Sequence, residues 1–204
     1  SKLAGRVFQS GTVRLSNRLA LSSGIRLIAG LFLCFLISVN PLLSQSVGDY
    51  RTNGNVQFNA AANWQVYDGT AWVAASTDPG AASGMITVRS THIATLTTSE
   101  TLDQLIVEAG GTLRINNSRT LYIGNGSEPF DMDVYGTVDN YGSINTTSNP
   151  GSAIRFNNDS FYNHRLNGGT IPAANWLINS TCAILAVSGT IPSGMNQVFG
   201  NLTW

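Results

Sequence analysis

Three aspartates raise the first chemical question. Asp131 and Asp133 alternate in FDMDV, and Asp139 follows six residues later. Side chains two apart on a strand share a face, so the first two would sit together and Asp139 could join them from a neighbouring strand. Paired carboxylates cleave glycosidic bonds, one protonating the leaving oxygen while the other activates water or attacks. The same oxygens could hold calcium. The opposing reading is that acids on the outer face of a strand merely keep it soluble. That reading is favoured, because no third carboxylate recurs at fixed spacing and no lysine follows Lys2 to act as a base. Arg114, Arg119 and Arg155 could serve a lyase-type site, yet each alternates with aliphatic neighbours as an ordinary outward residue does. Asp131, Asp133 and Asp139 are therefore carried forward as candidates, and no catalytic residue is assigned.

Other reactive side chains are sparse. His92 and His164 are the two histidines, and Cys34 and Cys182 the two cysteines. No HExxH, CxxC or nucleophile-elbow pattern occurs, which leaves zinc and triad hydrolase chemistry without support. His92 falls where a turn is expected and His164 at the surface or a rung edge, so neither is assigned a catalytic role. No metal and no cofactor is expected. Trp64 and Trp72 flank Asp68-Gly69, a pair of residues that tolerates the turn of a hairpin. The two indoles could pair across the strands and pack, or they could form a platform on which a glycan stacks.

The elements that must position these residues are strands. Only 11% of the chain is charged, against about 25% in soluble domains, and Asn, Ser, Thr and Gly supply the polarity. Short alternating runs, MITV (85–88), IATL (93–96), LDQLIV (102–107), TLRI (112–115), TLYI (120–123), MDV (132–134) and AIRF (153–156), are separated by Gly, Asn and Ser. Such runs are too short for helices. Glycine followed by a hydroxyl residue and an aliphatic recurs at Gly111, Gly136, Gly142, Gly169 and Gly189. Repetition at 20 to 27 residues is the mark of a solenoid. The spacing predicts a right-handed parallel β-helix, all-β, in which these five glycines form the structural turns through backbone angles that only glycine adopts freely. Residues 45–83 read as a capping hairpin segment and 84–204 as the β-helix repeats. An antiparallel sandwich is the competing all-β reading.

Residues 1–44 read as a signal peptide. Lys2, Arg6, Arg14, Arg18 and Arg26 precede the apolar run 27–39, and Pro41 with nearby serines offers a cleavage point. That run is too short to span a bilayer as a helix, so the membrane is expected to be met only through the cleaved leader. A secreted or cell-surface location follows. Cleavage would leave Cys182 as the one thiol, so no internal disulfide is expected. The rest of the chain carries six arginines against eleven carboxylates, which argues against nucleic acid as a partner. Six Asn-x-Ser/Thr sequons (Asn116, Asn125, Asn145, Asn158, Asn179, Asn201) do not decide function. The last stretch, GMNQVFGNLTW (194–204), shows no polar terminal cap, and the expectation is that the β-helix is truncated here and meets downstream domains of the same longer chain.

The run GMITVRSTHIATLTTSETLDQLIVEAGGTLRI (84–115) resembles the eight-glycine cap domain at the head of extracellular β-helix proteins. Ser90-Thr91-His92 stands at the corner, Leu102, Leu105 and Val107 in the strand, and Gly110-Gly111-Thr112-Leu113 at the turn. Residues 167–204 resemble large surface proteins of Gram-negative bacteria that use type IX secretion. The resemblance implies a secreted β-helix and no specific activity. The leading expectation is a non-enzymatic, adhesin-like scaffold with glycans or host matrix as partners. The alternative is a carbohydrate-active β-helix enzyme, of lyase or hydrolase type, or merely its cap domain.

Overall fold

The computed structural model describes residues 45–146 and 153–204; the expected leader, residues 1–44, lies outside them. Within the described residues all regular elements are strands: β1 (Tyr50–Thr52), β2 (Val56–Gln57), β3 (Trp64–Tyr67), β4 (Trp72–Ala74), β5 (Ile86–Val88), β6 (Ile93–Leu96), β7 (Glu100–Leu102), β8 (Leu105–Val107), β9 (Thr112–Ile115), β10 (Thr120–Ile123), β11 (Met132–Val134), β12 (Thr137–Asn140), β13 (Ser143–Asn145), β14 (Ile154–Phe156), β15 (Phe161–His164), β16 (Asn175–Trp176), β17 (Thr181–Ile184) and β18 (Asn201–Thr203). Two to four residues per strand suffice because most gain backbone partners from the turn above and the turn below.

The chain winds into a parallel β-solenoid of about five turns. Sheet 1 stacks β1, β5, β8, β11, β14 and β16; sheet 2 stacks β2, β6, β9, β12, β15, β17 and β18; sheet 3 stacks β7, β10 and β13. Register runs Ile93, Thr112, Thr137, Phe161, Thr181, Asn201 down sheet 2, so one lap takes between 19 and 25 residues there. Alternation then builds continuous inner columns. Val88, Val107, Val134, Phe156 and Trp176 lie in register on sheet 1. Val56, Ala94, Leu113, Val138, Tyr162 and Cys182 do so on sheet 2. All are buried, and each large apolar side chain removed from water contributes roughly 1.5–3 kcal/mol.

The corners explain the glycine phrase in a different way from that expected. Between sheets 1 and 2 four laps turn through four residues, closed by an N–H to the carbonyl three back: His92 to Arg89 (3.1 Å), Gly111 to Glu108 (2.8 Å), Ser160 to Asn157 (3.1 Å) and Ser180 to Leu177 (2.9 Å). The left-handed residue is the one before, with φ of 66° at Thr91, 80° at Gly110 and 64° at Asp159. Gly111 itself is not left-handed. The position it holds is filled in other laps by Ser160 and Ser180, both buried, whose hydroxyls donate to the Asn157 and Leu177 carbonyls at 2.7 Å. Small residues recur there in three of the four laps, and His92 holds the fourth.

At β11–β12 the corner shortens to Tyr135-Gly136, and the backbone cuts so close to the lap beneath that a Cβ on Gly136 would run into the Glu108 and Gly111 carbonyl oxygens. Gly142 occupies another corner, between sheets 2 and 3, and Gly169 follows β15 with φ of 76°. Gly189 lies in an outer loop with open space around it. The five glycines therefore serve several corners, and the even spacing reflects similar lap lengths.

The solenoid also begins upstream of residue 84, because β1 and β2 already pair in parallel with β5 and β6. The hairpin β3–β4 is an excursion from this first lap, and it extends sheet 1 antiparallel beyond β1. Asp68 closes it, accepting the Thr70 and Ala71 N–H groups at 2.8 and 2.9 Å, with Gly69 at φ 102°. Trp64 from this hairpin lies buried against Phe58 and Tyr50 at the end of the core.

Candidate functional site

The three candidate carboxylates are held apart in separate structural roles. Asp131, buried ahead of β11, accepts the Gly126 N–H at 2.6 Å and the Ala153 N–H at 2.7 Å, so it clasps two loops. Asp133 points outward from β11 and lies opposite Arg155 of β14. Their contact is bidentate, at 2.9 and 2.6 Å, and the Asn157 amide adds a third donor at 2.5 Å. Asp133 in turn raises the Arg155 pKa above its ordinary value through that hydrogen bond, and Phe130 lies beneath the guanidinium at 4.1 Å. Asp139, outward on β12, accepts from Asn163 and Arg165 at 2.9 Å and from Arg114 at 3.4 Å. Burial works against its charge, but the Asn163 amide and then Arg165 and Arg114 outweigh burial and hold its pKa below the usual carboxylate value. A general acid for sugar cleavage needs the opposite shift. Each carboxylate is engaged by two or more donors of its own, and no hydrogen bond links any two of the three.

Sequence reasoning missed Asp103, at the corner between β7 and β8. Burial, and next the nearby charge of Asp131, raise its pKa, and its Oδ1 has no hydrogen-bond partner. No pattern in the sequence distinguishes it, because the proximity arises across laps of unequal length.

The histidines are structural. The Nδ1 of His92 accepts the Gly54 N–H at 3.2 Å and lies 2.8 Å from the Thr52 hydroxyl, which ties the first lap to the next. His164, expected at the surface or a rung edge, is instead fully buried at an inner position of β15, where Leu96, Ile115 and Ile184 stand in three other laps and Asn140 in the adjacent one. Its Nε2 lies 2.7 Å from the Gly168 carbonyl oxygen, and its Nδ1 3.4 Å from the Tyr162 hydroxyl. That hydroxyl accepts from Asn140 at 2.8 Å, so Asn140, Tyr162 and His164 form a buried polar chain inside the solenoid. Cys182 is buried in the same sheet, and burial pushes its thiol pKa up to about 12, away from reactivity. Among the described residues no three His, Cys, Asp or Glu side chains converge as metal ligands.

The tryptophans do not form a joint platform. Trp64 is buried and pairs in register with Thr52, so it offers no face to a glycan. Trp72 lies opposite Tyr67 instead, with ring centroids 5.4 Å apart, and Arg51 lies over its ring at 4.2 Å.

A concave surface lies elsewhere. Outer positions of sheet 2 and its following corner form a shallow groove lined by Thr97, Arg114, Asn116, Asn117, Arg119 and Tyr141. Arg165 extends it, with its guanidinium 5.5 Å from the Tyr141 ring centroid. Arg119 is exposed, and its side chain makes no ion pair or hydrogen bond among the described residues. The Arg114 Nε is buried without an acceptor. Sequence spacing brings Asn116 and Tyr141 into register on the stack only once the lap length is known. In comparisons with known proteins, no family model, no curated protein and no solved structure matches this chain.

Proposed function

We propose that the chain is an exported, non-enzymatic scaffold of the cell surface, an adhesin-like module whose solenoid displays binding surface on a stiff support. The observation that carries this reading is the fate of the acids: Asp131, Asp133 and Asp139 each hold neighbouring laps or loops together, and each is engaged by at least two donors in doing so. Export is supported by the basic flank and apolar run of residues 1–44, and the likeness of residues 84–115 to extracellular β-helix caps agrees with it. Stacked laps also suit the role physically. Interior backbone groups are paired above and below, and the apolar columns are continuous, so stability extends along the axis by nearest-neighbour contacts.

The test is binding and turnover measured together. The full chain, applied to cells, extracellular matrix and immobilised glycans, is expected to bind at least one of them and to release no new reducing ends or unsaturated sugars. Turnover that disappears in both Asp131→Asn and Asp133→Asn would replace this reading with a carbohydrate-active enzyme.

A further inference from the structure

Outside the leader the chain has six arginines against eleven carboxylates, yet three of those arginines gather at one place. Arg114, Arg119 and Arg165 stand around the groove on sheet 2, where Asp139 is shared between Arg114 and Arg165 and Glu100 is held by the Thr98 hydroxyl beside the lining residue Thr97. Positive charge is still in excess there, three to two, on a body whose sum is acidic. Arg119 has no partner, and Arg114, with 40% of its side chain exposed, makes only a long ion pair at 3.4 Å. Guanidinium groups that are free or loosely paired beside an open concavity are a recognition surface for carboxylate or sulfate oxygens.

The remaining lining is neutral and polar, with Asn116, Asn117 and Thr97 supplying amide and hydroxyl groups and Tyr141 an aromatic ring. That mixture fits a ligand with few anions and many hydroxyls. A nucleic acid places a charge on every unit and would meet an acidic, lysine-free body on either side of the groove.

We infer that this groove binds an anionic glycan, a sugar polymer bearing carboxylate or sulfate groups, with Arg119 and Arg114 as the anion contacts. The inference rests on the scaffold reading above and names its ligand class. Asp139 keeps Arg114 and Arg165 splayed along the stack, each in a different lap. Arg119, one corner further on, ends the four-residue turn 116–119, closed by its N–H to the Asn116 carbonyl at 3.1 Å, in which Ser118 is left-handed at φ 57°.

The experiment is calorimetric titration of the full chain with neutral, uronate-bearing and sulfated oligosaccharides and with a single-stranded oligonucleotide. The charged sugars are expected to bind, at least about tenfold more tightly than the neutral ones, with affinity falling as salt rises. Preference for uronate or for sulfate supports the inference either way and identifies the anion. Arg119→Gln breaks no ion pair, so it is expected to lower affinity about tenfold while leaving thermal unfolding unchanged. Arg51→Gln, in the hairpin region, is the matched control and should bind normally. Equal binding by Arg119→Gln, equal affinity for neutral sugars, or tighter binding of the oligonucleotide would overturn the inference. Cell or matrix binding that survives Arg119→Gln also overturns it but leaves the scaffold reading intact, whereas cleavage of the bound sugar would unseat that reading itself.

Discussion

The laps up to β13 and the laps from β14 onward solve the same packing problem differently. In the first group three sheets enclose the core, and most of its inner residues are aliphatic, among them Ile86, Val88, Leu96, Leu102, Leu105, Val107, Leu113, Ile115, Leu121 and Ile123, with Phe58 and Trp64 at its first end and Asn140 on β12. In the second, sheet 3 has no strand among the described residues. The third side is held by a single bridge between Thr170 and Ser193 and by Gln197, whose amide joins the Trp176 indole at 2.8 Å to the Gly194 carbonyl at 2.6 Å. Aromatic rings fill the space instead. Phe156 and Trp176 stack at 4.2 Å and 6°, and Tyr162 meets both edge-on. All three ion pairs among the described residues, at Asp133 and Asp139, fall around the change from one style to the other. The lesson is that a solenoid tolerates a change of core chemistry midway, provided the outer surface stitches the junction.

The largest effect should come from removing the ring that links the two groups. Phe156→Ala leaves a cavity beneath Trp176 and is expected to cost about 3–5 kcal/mol in denaturant unfolding. Because coupling runs between neighbouring laps, hydrogen exchange should rise first in β14 to β18 while β6, β9 and β10 stay protected. Uniform loss of protection throughout would show that the two groups melt as one unit and that the contrast has no energetic meaning.

Next in size are two changes at the junction. Gly136→Ala drives a methyl group into two backbone carbonyls, and about 1–3 kcal/mol is expected. Gly189→Ala, at the same sequence phrase but in open space, should stay within about 0.5 kcal/mol. Equal costs at the two sites would return all five glycines to a common role. Tyr162→Phe removes the hydroxyl between Asn140 and His164. Leaving those buried groups short of a partner should cost about 1–3 kcal/mol, and Tyr162→Phe combined with Asn140→Leu should recover part of it, by thermal unfolding.

These comparisons also show what the sequence made legible. Period-two runs such as TLRI and TLYI became β9 and β10 as expected, since alternation in a half-buried strand reports its inner face directly. LDQLIV looked like one strand and is two, β7 and β8, bent at Asp103-Gln104. A corner made without glycine or proline leaves no compositional trace. β15, FYNH, places Tyr162 and His164 inward. Polar side chains at inner positions defeat a pattern built on aliphatics. The arginine groove was invisible for another reason: Thr97, Asn116 and Tyr141 come together only through register between laps, and laps differ in length.

The smallest effect concerns charge, and it separates two aspartates by sign. Asp139 at the junction is held below the usual carboxylate pKa, chiefly by Asn163 and Arg165 against burial. Its folded form binds fewer protons than the unfolded chain, so its contribution is present above the ordinary value of about 4 and is lost as pH falls through the depressed one. Asp103, in the three-sheet group, is shifted upward by burial and then by Asp131. Its folded form binds more protons, so stability declines as pH rises from the ordinary value through the raised one. Asp139→Asn should therefore lower stability at neutral pH and flatten the acid limb of a stability–pH curve. Asp103→Asn should raise stability at neutral pH and leave that limb in place. Both groups are partly solvated, so changes of at most about 1 kcal/mol are expected. Shifts of the same sign in urea unfolding at neutral pH would mean that the carboxylates at the junction and in the three-sheet group sit in equivalent surroundings, and the contrast between the two groups would stop at their cores.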